Sequence, residues 1–210
     1  MTSPQRVVEL PAMLVAVEAL DACLTPVASD DPRVQRLAAA GGRPGGRAMT
    51  MGPDGGVKVE FDMTGKAGRA WVVKRVALDD AIEEAASLGV RPASPDEWEY
   101  ACGAGARTLF RWGEDTPDND YPSARAAGPH QEPNLWGLMI GRDPYRHEWT
   151  AEPGIVCGGD GGGAVCGGSG FFLGWLTLAT AYRDKQFGAR PNSRSGSMRE
   201  LLIRPVIDMS

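Results

Sequence analysis

RPASPDEWEY, residues Arg91–Tyr100, carries the sharpest local signal in this 210-residue chain. Ser94, Pro95, Asp96 and Glu97 have the pattern of a capping box with proline at the first helical position. In that arrangement the serine hydroxyl accepts from the third helical amide, and the glutamate reaches back to the serine's own amide. Trp98 and Ala101 then share one helix face, and the helix is predicted to stop by Gly103. Just upstream, Leu78–Leu88 reads as a second helix. Asp79 and Asp80 sit at its positive end and Gly89 at its stop. Asp31-Pro32 opens a shorter helix that Gly41-Gly42 ends.

Strand signals flank these helices. Residues 6–19 read as one or two strands punctuated by Pro11, with Met13, Val15 and Val17 along one face. Val57–Phe61 and Trp71–Val76 are further β-rich runs, and the glycine-rich Gly41–Gly56 reads as a long loop. After Gly105, regular signals thin out while Trp112, Trp136, Trp149 and Trp175 recur among glycines and prolines. This is the look of an α+β domain pinned by aromatics under irregular loops.

Composition sets outer bounds. Apolar residues make up 42% and charged residues 23%, near the soluble globular average. The length is read as a single domain. A net charge of −5 argues against general nucleic-acid binding, which needs a basic footprint. Charge is unevenly spread: Asp79–Asp120 holds eleven acids and three arginines, while Arg183–Arg204 holds six bases and two acids. No secretion signal is visible at the start, so a cytoplasmic location is expected, with free thiols at Cys23, Cys102, Cys157 and Cys166. The uncharged stretch Gly161–Tyr182 begins mostly with glycine, and its 12-residue apolar part is too short to span a bilayer.

The order of motifs resembles the formylglycine-generating-enzyme family, also called the sulfatase-modifying-factor domain. RPASPDEWEY is similar to that family's R-L-P-T-x-x-E-W-E-Y-A. Leu78–Ala81 stands where the family has S-W-x-D-A, and Phe110–Gly113 resembles Y-P-W-G. Asn134–Leu138 resembles N-x-F/W-G-L, Glu148–Thr150 resembles the end of W-E-W-T, and Val165–Ser169 resembles V-x-R-G-G-S-W. The terminal G-F-R motif is eroded to Leu202–Val206. The resemblance spans residues 70–183 best. It implies a C-type-lectin-like fold with a small twisted antiparallel sheet, two helices and long irregular loops.

The family's oxidases use a copper-binding cysteine pair after G-G-S. By count, those positions fall near Phe172 and Thr177, so the resemblance comes without the catalytic pair. An iron site of histidines is equally unsupplied, since the chain has only His130 and His147. The glycine-rich Gly158–Gly168 lacks the lysine of a phosphate loop. The resemblance further implies a structural calcium, with Glu148 retained and Asp143 as a substitute oxygen ligand.

What remains is a surface. Residues 170–197 combine Phe171, Phe172, Trp175, Tyr182 and Phe187 with Arg183, Lys185, Arg190 and Arg194, the composition of a binding hot spot. Phe171, Phe172, Trp175, Thr177, Tyr182 and Arg183 are the first candidates for a protein or small-molecule ligand. Phe171 and Phe172 are read as strand residues pointing to opposite sides. The expected function is therefore a non-catalytic binding module. Its most concrete form is a variable protein of a diversity-generating retroelement or a phage-type receptor-binding protein, which would be virion-associated. Two alternatives stay open: a divergent metal-dependent oxidase using Cys157, Cys166 or His147, and a homo-oligomeric or structural subunit of a larger assembly.

Overall fold

The computed structural model describes residues 2–53, 55–117, 120–122, 127–185 and 200–209. Among these the chain is mixed α+β, with five helices and several antiparallel sheets. The strands in chain order are β1 (Met13–Val15), β2 (Leu20–Asp21), β3 (Leu24–Val27), β4 (Arg47–Gly52), β5 (Gly55–Phe61) and β6 (Ala67–Val73). They continue as β7 (Arg91–Pro92), β8 (Glu148–Trp149), β9 (Val156–Cys157), β10 (Arg183–Asp184), β11 (Leu202–Ile203) and β12 (Pro205–Asp208). The helices are α1 (Pro32–Ala39), α2 (Leu78–Ser87), α3 (Pro95–Gly103), α4 (Gly163–Cys166) and α5 (Phe171–Leu176). The structure divides into two compact units. The smaller comprises Asp21–Ala77 with Ser197–Leu201; the larger comprises Met1–Leu20, Leu78–Gly196 and Leu202–Ser210.

The smaller unit is a four-stranded antiparallel sheet in the order β3-β6-β5-β4, with α1 packed on it. Asp31 starts α1 as expected, its Oδ1 accepting from the Arg33 amide at 2.8 Å ahead of Pro32. Val34 of α1 is buried with Val57, Val59, Phe61 and Ala70. The expected loop Gly41–Gly56 is corrected here, because β4 runs through its second half. Its register with β5 extends from Arg47↔Glu60 to Gly52↔Gly55, so its pairing comes from the partner strand and not from local propensity.

In the larger unit β1 pairs antiparallel with β12, and β12 with β7. Strands β10, β9, β8 and β11 lie side by side in that order, antiparallel except for the parallel β8·β11 pair. Trp98, Ala101, Cys102, Leu138, Ile140, Ile155, Cys157 and Val206 form its main apolar core. α3 begins as the sequence predicts. Ser94 Oγ accepts from the Glu97 amide at 3.2 Å, and Glu97 Oε2 accepts from the Ser94 amide at 2.7 Å. Arg91 forks onto Glu97 with two bonds of 2.8 Å. No helix among the described residues is long and apolar enough to cross a membrane.

Candidate functional site

The larger unit is organised around one buried cation. Arg204, in the segment between β11 and β12, is fully enclosed. Its Nε donates to Glu148 Oε2 at 2.9 Å and its Nη2 to Glu148 Oε1 at 2.6 Å. The other donors reach the Ala16 and Val17 carbonyls at 2.8 and 3.0 Å and the Met139 carbonyl at 3.1 Å. All five guanidinium N–H groups are thus used. Trp98 Nε1 also donates to Glu148 Oε2, at 2.8 Å. A buried carboxylate with this many donors is held in place by charge-assisted bonds that few water molecules compete for. Both Glu148 oxygens are therefore engaged by protein groups. Asp143, the other residue named for calcium, accepts from the Tyr145 amide at 2.9 Å within its own turn. The described residues hold no group of three or more histidines, cysteines or acids placed to bind a metal ion.

A second charged cluster lies on the outer side of α3. Asp96 and Glu99 are one helical turn apart. Arg183 Nη2 and Arg6 Nη2 both bond to Asp96 Oδ1, and they reach Glu99 Oε2 at 2.8 and 3.0 Å. Ser3 Oγ adds a bond to the same Glu99 oxygen at 2.7 Å. Burial pushes the Asp96 carboxyl up, but the hydrogen bonds from Arg183 and Arg6 outweigh it and hold the group below the usual carboxylate range. Arg183, named from sequence as a ligand contact, thus spends its charge within the fold. The uneven charge read from sequence is partly resolved here, since a base of the C-terminal segment meets acids of α3.

The segment after Gly168 forms the helix α5, not a strand. Phe171 and Phe172 are therefore 100° apart on a helix instead of on opposite faces of a sheet. Gly174 permits this packing: a Cβ there would lie 2.7 Å from the Tyr121 ring. α5 has no side-chain cap at Gly170. Phe171, Phe172 and Leu173 remain 43%, 55% and 45% exposed. Phe171 meets Tyr121 edge to face at 4.9 Å. The other named candidates turn inward. Trp175 is fully buried, donates Nε1 to the Asp120 carbonyl at 2.7 Å and contacts Trp112 and His130 edge-on. Thr177 is buried with its hydroxyl on the Gly174 carbonyl at 2.9 Å. Tyr182 is half-buried, and burial pushes its phenol well above the usual range. Phe187, Arg190 and Arg194, together with residues 186–197 of the candidate face, lie outside the described residues.

The thiols are scattered. Cys102 and Cys157 belong to the main core, where burial pushes the Cys102 thiol up to about 12 and Cys157 higher still. Such thiols are poor thiolate sources. Cys166 is exposed on α4, with its sulfur 3.2 Å from the Tyr145 hydroxyl. Within the glycine-rich stretch, Asp160 Oδ2 accepts from the Ala164 amide at 2.7 Å and starts the four-residue α4.

Sequence reasoning missed the Arg204–Glu148 pair and the Asp96–Glu99 cluster. The one signal for the first was an arginine inside the apolar run Leu202–Val206. Leu173 was also passed over, although it completes the exposed row. A scan against protein-family models matches none, and no curated protein is significantly similar to the chain.

Proposed function

We propose that the chain is a non-catalytic ligand- or protein-binding module on a C-type-lectin-like scaffold of the formylglycine-generating type. The observation that carries this reading is the state of α5. By count from the resemblance, the positions where the family's oxidases place copper cysteines fall near Phe172 and Thr177, one exposed and one buried, while Phe171, Phe172 and Leu173 form an exposed apolar row. The scaffold part of the reading is supported by the Trp98–Glu148–Arg204 linkage. It joins three of the motifs on which the resemblance rests, 50 and 56 residues apart.

In its most concrete form the module presents a replaceable surface, as a retroelement-diversified or phage receptor-binding protein does. The test is a surface-displayed library randomised at residues 171, 172 and 173, beside one randomised at 175, 177 and 178. The first should keep the display level of the parent and the second should lose it. Equal loss in both would make α5 a part of the core and remove the presentation surface. Stoichiometric copper uptake with oxygen consumption on a cysteine-containing peptide would overturn the non-catalytic reading.

A further inference from the structure

Arg111 and Arg142 each lack a carboxylate within ion-pair distance among the described residues. Arg111 Nη2 donates to the His130 carbonyl at 2.7 Å, and its guanidinium lies 5.5 Å from the Trp112 ring centre. Its Nε is shut off from solvent and has no hydrogen-bond partner. Arg142 donates Nε and Nη2 to Gln131 Oε1 at 3.3 and 3.1 Å, while Gln131 Nε2 returns a bond to the Arg142 carbonyl at 3.2 Å. His130 and Gln131 are adjacent, so two cations converge on one turn. Glu132, next in sequence, is exposed and lies beyond ion-pair distance of both, although its charge raises the Arg111 pKa.

The turn is closed by its own backbone. The Gln131 amide closes it onto the Gly128 carbonyl at 2.9 Å. Gly128 has φ +136°, and a Cβ there would come within 3.2 Å of the His130 ring. His130 is fully buried, edge-on to Trp112 and Trp175. Burial lowers the Arg111 pKa; Cys102 and Glu132 act against that shift, and the charge of Arg142 acts with it. A half-buried guanidinium with no carboxylate at ion-pair distance is costly; its enclosed Nε meets no ligand, but Nη1, which is not shut off and bonds to no described residue, is open to an oxyanion.

We infer that Arg111 and Arg142, set around the His130–Gln131 turn, bind a small oxyanion, either a carboxylate or a phosphate group. The site uses none of the exposed residues of α5.

The experiment titrates the full chain separately with inorganic phosphate and with acetate, against chloride at matched ionic strength. It reads binding heat and the Nε–H resonance of Arg111. One saturable site is expected. Arg142→Gln should weaken it roughly tenfold or more, as loss of a charge-assisted bond predicts. Arg111→Met should abolish it. Should Arg111→Met fail to fold, Arg142→Gln alone decides. Saturation by phosphate alone assigns a phosphate-bearing ligand, and saturation by acetate alone a carboxylate. A response equal to that of chloride, or one unchanged in Arg142→Gln, overturns the inference.

Discussion

Helix α3 begins with a serine cap, places two acids in its first turn and buries a tryptophan, whereas α5 begins at Gly170 with no side-chain cap and exposes three apolar residues in a row. Both belong to the larger unit. Nearly every polar group of α3 has a partner inside the protein: Glu97 with Arg91, Asp96 and Glu99 with Arg6 and Arg183, Trp98 with Glu148. α5 carries no charge. Its inner residue, Trp175, is held by neighbouring elements, and its outer residues stay partly exposed. The contrast teaches that α3 is secured by directed polar bonds, whereas α5 carries three consecutive exposed apolar residues with no such bonds among them.

The buried pair beneath α3 gives the largest way to break this contrast. Arg204→Met leaves Glu148 charged and enclosed, with only Trp98 to serve it. Removing one partner of a buried pair costs about 3–5 kcal/mol. Urea unfolding should show that loss. The double variant Arg204→Met with Glu148→Leu should recover part of it, because the uncompensated charge is gone. A loss under ~1 kcal/mol in the single variant would mean that water reaches Glu148 and that the pair is no keystone.

The cap of α3 gives the next effect. Ser94→Ala removes the acceptor for the Glu97 amide and should cost about 1 kcal/mol. Ser94→Gly should cost only a few tenths. Equal costs for the two would place the effect in the hydroxyl, which both variants lack, and not in the backbone preference that separates alanine from glycine.

Acid sharpens the same contrast. The Arg91 hydrogen bonds hold the Glu97 carboxyl below its ordinary 4.5. A depressed carboxylate stabilises the fold fully above its unfolded pKa, and that contribution disappears as pH falls through the folded value. Stability should therefore decline below about pH 4.5. Arg91→Met should flatten that decline by returning Glu97 toward its ordinary range. A decline of unchanged steepness would shift the acid sensitivity to other carboxylates.

How much of this was readable follows from distance along the chain. The α3 cap lies within four consecutive residues, so its chemistry is visible in one glance at Ser94–Glu97. The Asp31-Pro32 start of α1 is equally local. β4 was not legible, because Arg47–Gly52 becomes a strand through its partner β5. Glu148 and Arg204 are 56 residues apart, and Asp96 and Arg183 are 87 apart, so nothing in either neighbourhood announces the pairing. The candidate face was half legible: aromatic composition drew attention to 171–182, but composition does not separate Phe172, which is exposed, from Trp175, which is buried. That division depends on helix phase, and a run such as Phe171–Leu176, with no cap and with aromatics that favour strands, hides its helical period.

The smallest expected effect is the most diagnostic. Phe172→Ser removes an exposed ring that takes no part in the cluster of Phe110, Trp175, Leu178 and Ala179. A surface change away from special features stays within about 0.5 kcal/mol. Trp175→Ala, three residues on, empties a fully enclosed site and removes the indole donor to the Asp120 carbonyl, a change in the class that costs about 3–5 kcal/mol. Thermal unfolding of the two variants side by side measures the asymmetry directly. If Phe172→Ser falls as far as Trp175→Ala, the ring is anchored in the folded state and α5 is a second α3. If it stays with the parent, three apolar side chains stand on a helix that does not need them for folding, which is the condition a presented surface has to meet.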